Sequence, residues 1–231
     1  PPPLPSATFT PAVTPMGGPS GELAFASDRS GIPQVYIWQN TNVEPRQLTN
    51  FPDGACQPDW SPDGNRIVFI SPCPADQDEY QNGSMFILNA DGSGLVRLDT
   101  QPGGDFAPAW SPDGASIAFS SLRDPILHIF LYDLATNKVT RISPPSSRDS
   151  HPDWSPDGSK LVFDTTRSGE MQVWTMNLDS SSPREFSTAG GSGESMPVWS
   201  PDGKQIAYIS GSSRPILAIR AFGEAGAQER Q

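Results

Sequence analysis

The chain is poor in the side chains that carry most protein chemistry. Its 231 residues include only two histidines, two cysteines and 15 lysines and arginines. The basic residues are scattered and the net charge is −11, which argues against nucleic acid or an anionic membrane surface as a partner. No run of about 18 apolar residues is present to span a bilayer, and no charged-then-apolar leader opens the chain. Two cysteines without a histidine cluster do not make a zinc site. There is no G-x-S-x-G nucleophile elbow and no glycine-rich phosphate loop. No long window keeps a 3.6-residue apolar period, so almost no helix is expected.

Proline (26) and glycine (21) are abundant instead, and they recur at fixed places. The string W-S-P-D-G occurs four times, headed by Trp60, Trp110, Trp154 and Trp199. A near-constant interval of about 45 residues marks a repeat architecture. Proline presets φ for a tight turn, aspartate bonds onward to nearby backbone, and glycine accepts a left-handed conformation. Each copy is therefore a hairpin connector, and each tryptophan a flat anchor suited to wedging between neighbouring sheets.

An alternating apolar run follows each turn, as in Arg66-Ile67-Val68-Phe69-Ile70 and Lys160-Leu161-Val162-Phe163-Asp164. A second run and a short third one close the unit, giving four strands per repeat. Such sheets bury both faces only by stacking radially. The expected fold is all-β: a β-propeller of four-stranded antiparallel blades over residues 21–231, five in number. Part of a six-bladed or larger ring is the alternative. Partial units lie at both ends. Pro11 to Gly17 echoes Pro108 to Gly114 as a degenerate first strand within a Pro/Thr-rich linker, residues 1–20. Glu229-Arg230-Gln231 parallels Pro45-Arg46-Gln47, so the native protein is expected to continue past the last residue.

Few residues are candidates for chemistry. Asp105, Asp149 and Glu194 stand five residues before three of the anchors, with Asp53 near the matching position of another repeat. If these linkers converge at one channel mouth, the carboxylates could hold Ca²⁺ or meet basic groups on a partner. Asp59 and Asp153, directly before their tryptophans, are a weaker addition. His151 opens a strand expected to line the channel and could touch a ligand, whereas mid-strand His128 reads as packing or surface. The acidic run Asp76 to Glu79 reads as a solvated loop. If Trp60 heads one strand and Ile67 begins its antiparallel neighbour, Cys56 falls near residue 71, within bridging reach of Cys73. A disulfide there implies an oxidising compartment; two unpaired buried thiols are the alternative.

The repeats resemble those of the TolB-like β-propeller family, related to WD-type propellers. That resemblance runs through Pro58 to Gly64, Pro108 to Gly114, Pro152 to Gly158 and Pro197 to Gly203, with Ser27 to Gly31 and Arg46 to Thr49 matching the family's loop and closing strand. It implies the fold, while such repeats serve many roles. The resemblance does not cover TolB's separate N-terminal domain, so a role in its envelope system is not expected. In resembling proteins a segment like residues 1–20 joins a membrane anchor to an outer domain. The expectation is a non-catalytic periplasmic or extracellular recognition propeller that binds a protein, peptide or saccharide at the channel face. The alternatives are the gating propeller of a hydrolase and a calcium-binding scaffold.

Overall fold

The structure, a computed structural model, describes residues 21–40, 44–74, 79–100, 104–187, 193–211 and 215–223. The proposed first strand at 11–17 and the closing one at 229–231 lie outside them. All regular elements are strands, and no helix occurs among the described residues, so none could cross a membrane.

Five antiparallel sheets follow one another as the blades of a propeller. Blade 1 holds β1 (Glu22–Ser27), β2 (Gln34–Gln39) and β3 (Arg46–Gln47). Blade 2 holds β4 (Cys56–Trp60), β5 (Arg66–Ser71), β6 (Ser84–Asn89) and β7 (Val96–Arg97). Blade 3 holds β8 (Asp105–Trp110), β9 (Ser116–Ser121), β10 (His128–Asp133) and β11 (Lys138–Arg141). Blade 4 holds β12 (Asp149–Trp154), β13 (Lys160–Thr165), β14 (Gln172–Asn177) and β15 (Arg184–Glu185). Blade 5 holds β16 (Glu194–Trp199), β17 (Gln205–Ser210) and β18 (Ile216–Ala221). Blades 1 and 5 thus show three strands each among the described residues, in keeping with the partial units expected at both ends.

The W-S-P-D-G turn closes each inner hairpin through its own side chains. Ser61 Oγ donates to Asp63 Oδ1 at 2.6 Å and accepts the Arg66 N–H at 2.9 Å. The same bonds recur at Ser111, where Asp113 lies at 2.6 Å, and at Ser200, where Asp202 lies at 2.7 Å. The serine hydroxyl is thereby fully engaged, which fixes the first pair of the following strand.

Packing between blades follows the two-residue period of the strands. In each repeat the tryptophan and the residues seven and nine positions later face the preceding blade. Trp110, Ile117 and Phe119 cluster with Val68 and Ile70 of blade 2. Trp154, Leu161 and Phe163 meet Ala118 and Ile129 of blade 3, and Trp199, Ile206 and Tyr208 meet Val162 and Val173 of blade 4. Burying each such side chain contributes about 1.5–3 kcal/mol, so the four inter-blade layers dominate stability.

The outer faces of the terminal blades differ. Leu23 of β1 is 55% exposed, whereas its repeat equivalents Ile67, Ile117, Leu161 and Ile206 are 0% exposed. On the forward face of blade 5, Val198, Leu217 and Ile219 are 42, 67 and 61% exposed. Cross-strand pairing sets Ala207 between Val198 and Ile219, so these residues form one continuous apolar face. The two faces are the halves of the interface that every interior blade pair buries.

Candidate functional site

The inner strands β4, β8, β12 and β16 line the propeller axis, and each is broken by a bulge three residues before its tryptophan. Gln57, Ala107, His151 and Met196 occupy it with φ of 51, 49, 47 and 53°. The bulge frees a backbone N–H from its own sheet, and the preceding blade supplies the acceptor. Gln57 Oε1 takes the Ala107 N–H at 2.7 Å, Ser120 Oγ the His151 N–H at 2.9 Å, and Asp164 Oδ2 the Met196 N–H at 2.9 Å. Asp164, wholly buried, also bonds His151 Nδ1 at 2.8 Å and accepts the Ser150 hydroxyl. His151 is therefore held against the axis by a carboxylate from its own blade.

The carboxylates at the strand starts are not gathered into a ring. Asp105 bonds Ser121 Oγ at 2.6 Å and Arg123 Nη2 at 2.8 Å. Asp149 takes both oxygens to Arg167 Nη2, at 2.9 and 2.7 Å, and accepts Ser147 Oγ at 2.9 Å. Both are fully enclosed in their own blades. Burial pushes the Glu194 pKa up, with Ser187 and Arg220 acting against it. Its Oε2 has no hydrogen-bond partner among the described residues. The Asp53 side chain is exposed, and its carbonyl accepts the Cys73 N–H at 2.8 Å. Among the described residues no group of three or more His, Cys, Asp or Glu is placed to hold a metal. For two of the acids the reason is local: the loop after the second strand returns Arg123 onto Asp105 and Arg167 onto Asp149.

That arginine is a repeated device. Arg29, Arg123 and Arg167 each follow a Ser or Thr by two residues and bond its hydroxyl through Nε at 3.1, 2.9 and 3.3 Å. Each guanidinium also lies over two aromatic rings: Phe25 and Tyr36, Phe119 and Phe130, or Phe163 and Trp174, at 4.6–5.3 Å. In blade 2 the position belongs to Cys73, which is disulfide-bonded to Cys56 with Cα atoms 5.9 Å apart. The bridge thus joins the strand ends that an ion pair joins in blades 3 and 4. His128 is 1% exposed, and burial, followed by the Arg141 charge, pushes its pKa down.

The opposite mouth of the axis is where open chemistry remains. A cavity of about 140 Å³ is walled by Trp60, Trp110, Trp154 and Trp199 with Pro62, Pro112, Pro156 and Pro201 of the turns. Asp59 and Asp153 are the charged residues in its lining. Each carboxylate crosses a blade boundary: Asp59 Oδ2 accepts the Trp110 N–H at 2.7 Å, and Asp153 Oδ2 the Trp199 N–H at 2.6 Å. The repeat places Ala109 and Val198 at the equivalent positions, so the acids alternate with apolar residues around the axis. Burial pushes Asp59 up to about 7, with the Trp110 N–H opposing and the Asp153 charge adding. It pushes Asp153 up to about 6 against the Trp199 and Trp154 N–H groups. Both carboxyls therefore titrate near neutrality, in a recess where they are half-buried.

The arrangement matches known proteins in fold. The family model for the TolB beta propeller domain matches residues 77–230. TolB from Acinetobacter baumannii superposes with a TM-score of 0.76 at 23% identity, covering 90% of this chain and 52% of that one. A puromycin-hydrolyzing peptidase of Mycobacterium tuberculosis superposes with a TM-score of 0.58 at 16% identity, covering 88% of this chain and 37% of that one. Over 56 residues the chain is 46% identical to the uncharacterized peptidase YuxL of Bacillus subtilis (strain 168), which is 23% of this chain and 8% of that protein. The chain therefore spans about half of the TolB structure and a small part of the peptidase. With the family model spanning more than half of its residues, this chain belongs to the TolB beta propeller domain family.

Proposed function

We propose that this propeller is a non-catalytic recognition domain that binds a protein or peptide segment at the axial mouth formed by the W-S-P-D-G turns. The observation that carries the reading is the walled cavity there, lined by four tryptophans and two carboxyls of raised pKa, with no basic side chain among the described residues of its lining. Concave, mostly apolar sites with a few convergent polar groups are the usual form of a binding pocket. The TolB-like fold suits a binding scaffold, and the acidic composition disfavours nucleic acid. The Cys56–Cys73 bridge supports a periplasmic or extracellular location, where disulfides persist.

Panning the purified chain against a random peptide library tests this reading. Enriched peptides should compete with one another and lose binding when the axial residues are changed. A folded chain that enriches no peptide contradicts it. A second reading, the substrate-gating propeller of a peptidase, is favoured by the local 46% identity to a peptidase and by the peptidase among the similar folds. It predicts that enriched peptides are cleaved once a hydrolase domain is joined to the chain.

A further inference from the structure

The axial cavity has a chemistry specific enough to name what it takes. Its volume, about 140 Å³, is close to the roughly 150 Å³ that holds a benzene-sized guest, so it admits one side-chain head rather than a folded surface. Its lining is built from aromatic rings, proline rings and two acids. The turn serines are already spent on Asp63, Asp113 and Asp202. Arg66, which stacks on Trp110 at 4.8 Å, is not part of the lining. The indole N–H groups of Trp60, Trp110 and Trp199, like that of Trp174 outside the lining, are buried and have no acceptor among the described residues. Trp154, by contrast, donates its indole N–H to the Ala109 carbonyl at 3.1 Å.

We propose that this cavity receives a primary ammonium group from a peptide partner, held between Asp59 and Asp153, with its methylene stem on the tryptophan and proline rings. The inference rests on the peptide-binding reading above. An ammonium supplies three donors to the two carboxyls and gains from neighbouring aromatic faces. Two sources carry this chemistry, a lysine side chain and a free chain N-terminus.

Three amidated tripeptides separate the sources. The first is acetyl-capped glycyl-lysyl-glycine, the second uncapped triglycine, the third acetyl-capped with norleucine replacing lysine. Binding is measured by calorimetry and by tryptophan fluorescence against the whole chain. One or both amine peptides should bind at least about tenfold more tightly than the norleucine peptide. Acetylating the amine should remove the difference, a control that leaves the protein untouched. Asp59→Asn with Asp153→Asn keeps an acceptor for the Trp110 and Trp199 N–H groups and should cut amine binding at least about tenfold. If peptides from the library bind equally with and without an amine, the ammonium site is wrong while the recognition reading stands. If no peptide of any kind binds, both fall.

Discussion

Cys73 stands in blade 2 where Arg123 stands in blade 3, six residues after Ile67 and Ile117 respectively. Arg123 ties its loop to Asp105 by an ion pair at 2.8 Å, and Cys73 ties the corresponding loop to Cys56 by a covalent bond. The same mechanical task, pinning the end of the second strand to the start of the first, is done by two chemistries in adjacent blades. Replacing both cysteines by alanine should therefore lower stability by about 3 kcal/mol, the scale for a closed loop of this length. Denaturant titration with and without reductant measures it. An unchanged midpoint under both conditions contradicts the role.

In blade 4 the task falls to Arg167, whose removal leaves Asp149 buried without its cation. Arg167→Met should cost about 3–5 kcal/mol, the scale for breaking a buried pair. Asp149→Leu combined with Arg167→Met should recover most of that loss. Chemical denaturation of the single and double variants closes the cycle. A double variant as weak as the single would show that the pair acts through something other than charge.

Gly54 closes the approach of the disulfide loop to blade 1. Its φ is +82°, and a Cβ there would lie 2.4 Å from the Cys73 carbonyl oxygen. The neighbouring Ala55 N–H bonds the Pro33 carbonyl at 2.8 Å. Gly54→Ala should destabilise by more than the ~1 kcal/mol typical of exposed glycine changes. Thermal melting is the readout, with Gly31→Ala, at a site with open space, as the milder comparison.

Asp59 and Asp153 make stability depend on pH in an unusual direction for carboxylates. Their pKa values are raised in the folded state, to about 7 and about 6, above the ordinary value of 3.8. Between about pH 4 and 7 the folded state therefore binds more protons than the unfolded one. Their stabilising contribution is full below pH 4 and is lost as pH rises through 6 and 7. The Asp59→Asn, Asp153→Asn variant lacks this slope. Its stability relative to the parent should rise from pH 5 to pH 8 by an amount on the order of a few kcal/mol. Urea titrations at the two values test this, since the other titrating groups cancel in the difference. A constant gap would show that burial does not raise the two pKa values.

The repeat itself was legible because tryptophan, proline and glycine announce an anchor and a turn within five residues, four times over. The strands between them followed from their two-residue alternation. The strand-start acids were visible, but their arginines arrive 18 residues later from a loop, and the sequence gives no direction to a side chain across that gap. The signal available was the recurring Ser/Thr-x-Arg at Ser27, Ser121 and Thr165. Bulges at Gln57, Ala107, His151 and Met196 left no trace, because none is a glycine despite its positive φ. Asp164 was hidden for a different reason: Ile70 and Ile209 fill the same repeat position, and only the fold shows that a histidine and a backbone N–H await it.

The claim that recognition occurs at the axial turn mouth is tested most directly by following the six tryptophan indole N–H resonances of ¹⁵N-labelled chain during titration with a selected peptide. The account predicts that the signals of Trp60, Trp110 and Trp199 move together at saturation while those of Trp38 and Trp174, outside the cavity lining, stay in place. Saturable binding that shifts only Trp38 or Trp174, with the axial indoles unmoved, would contradict it.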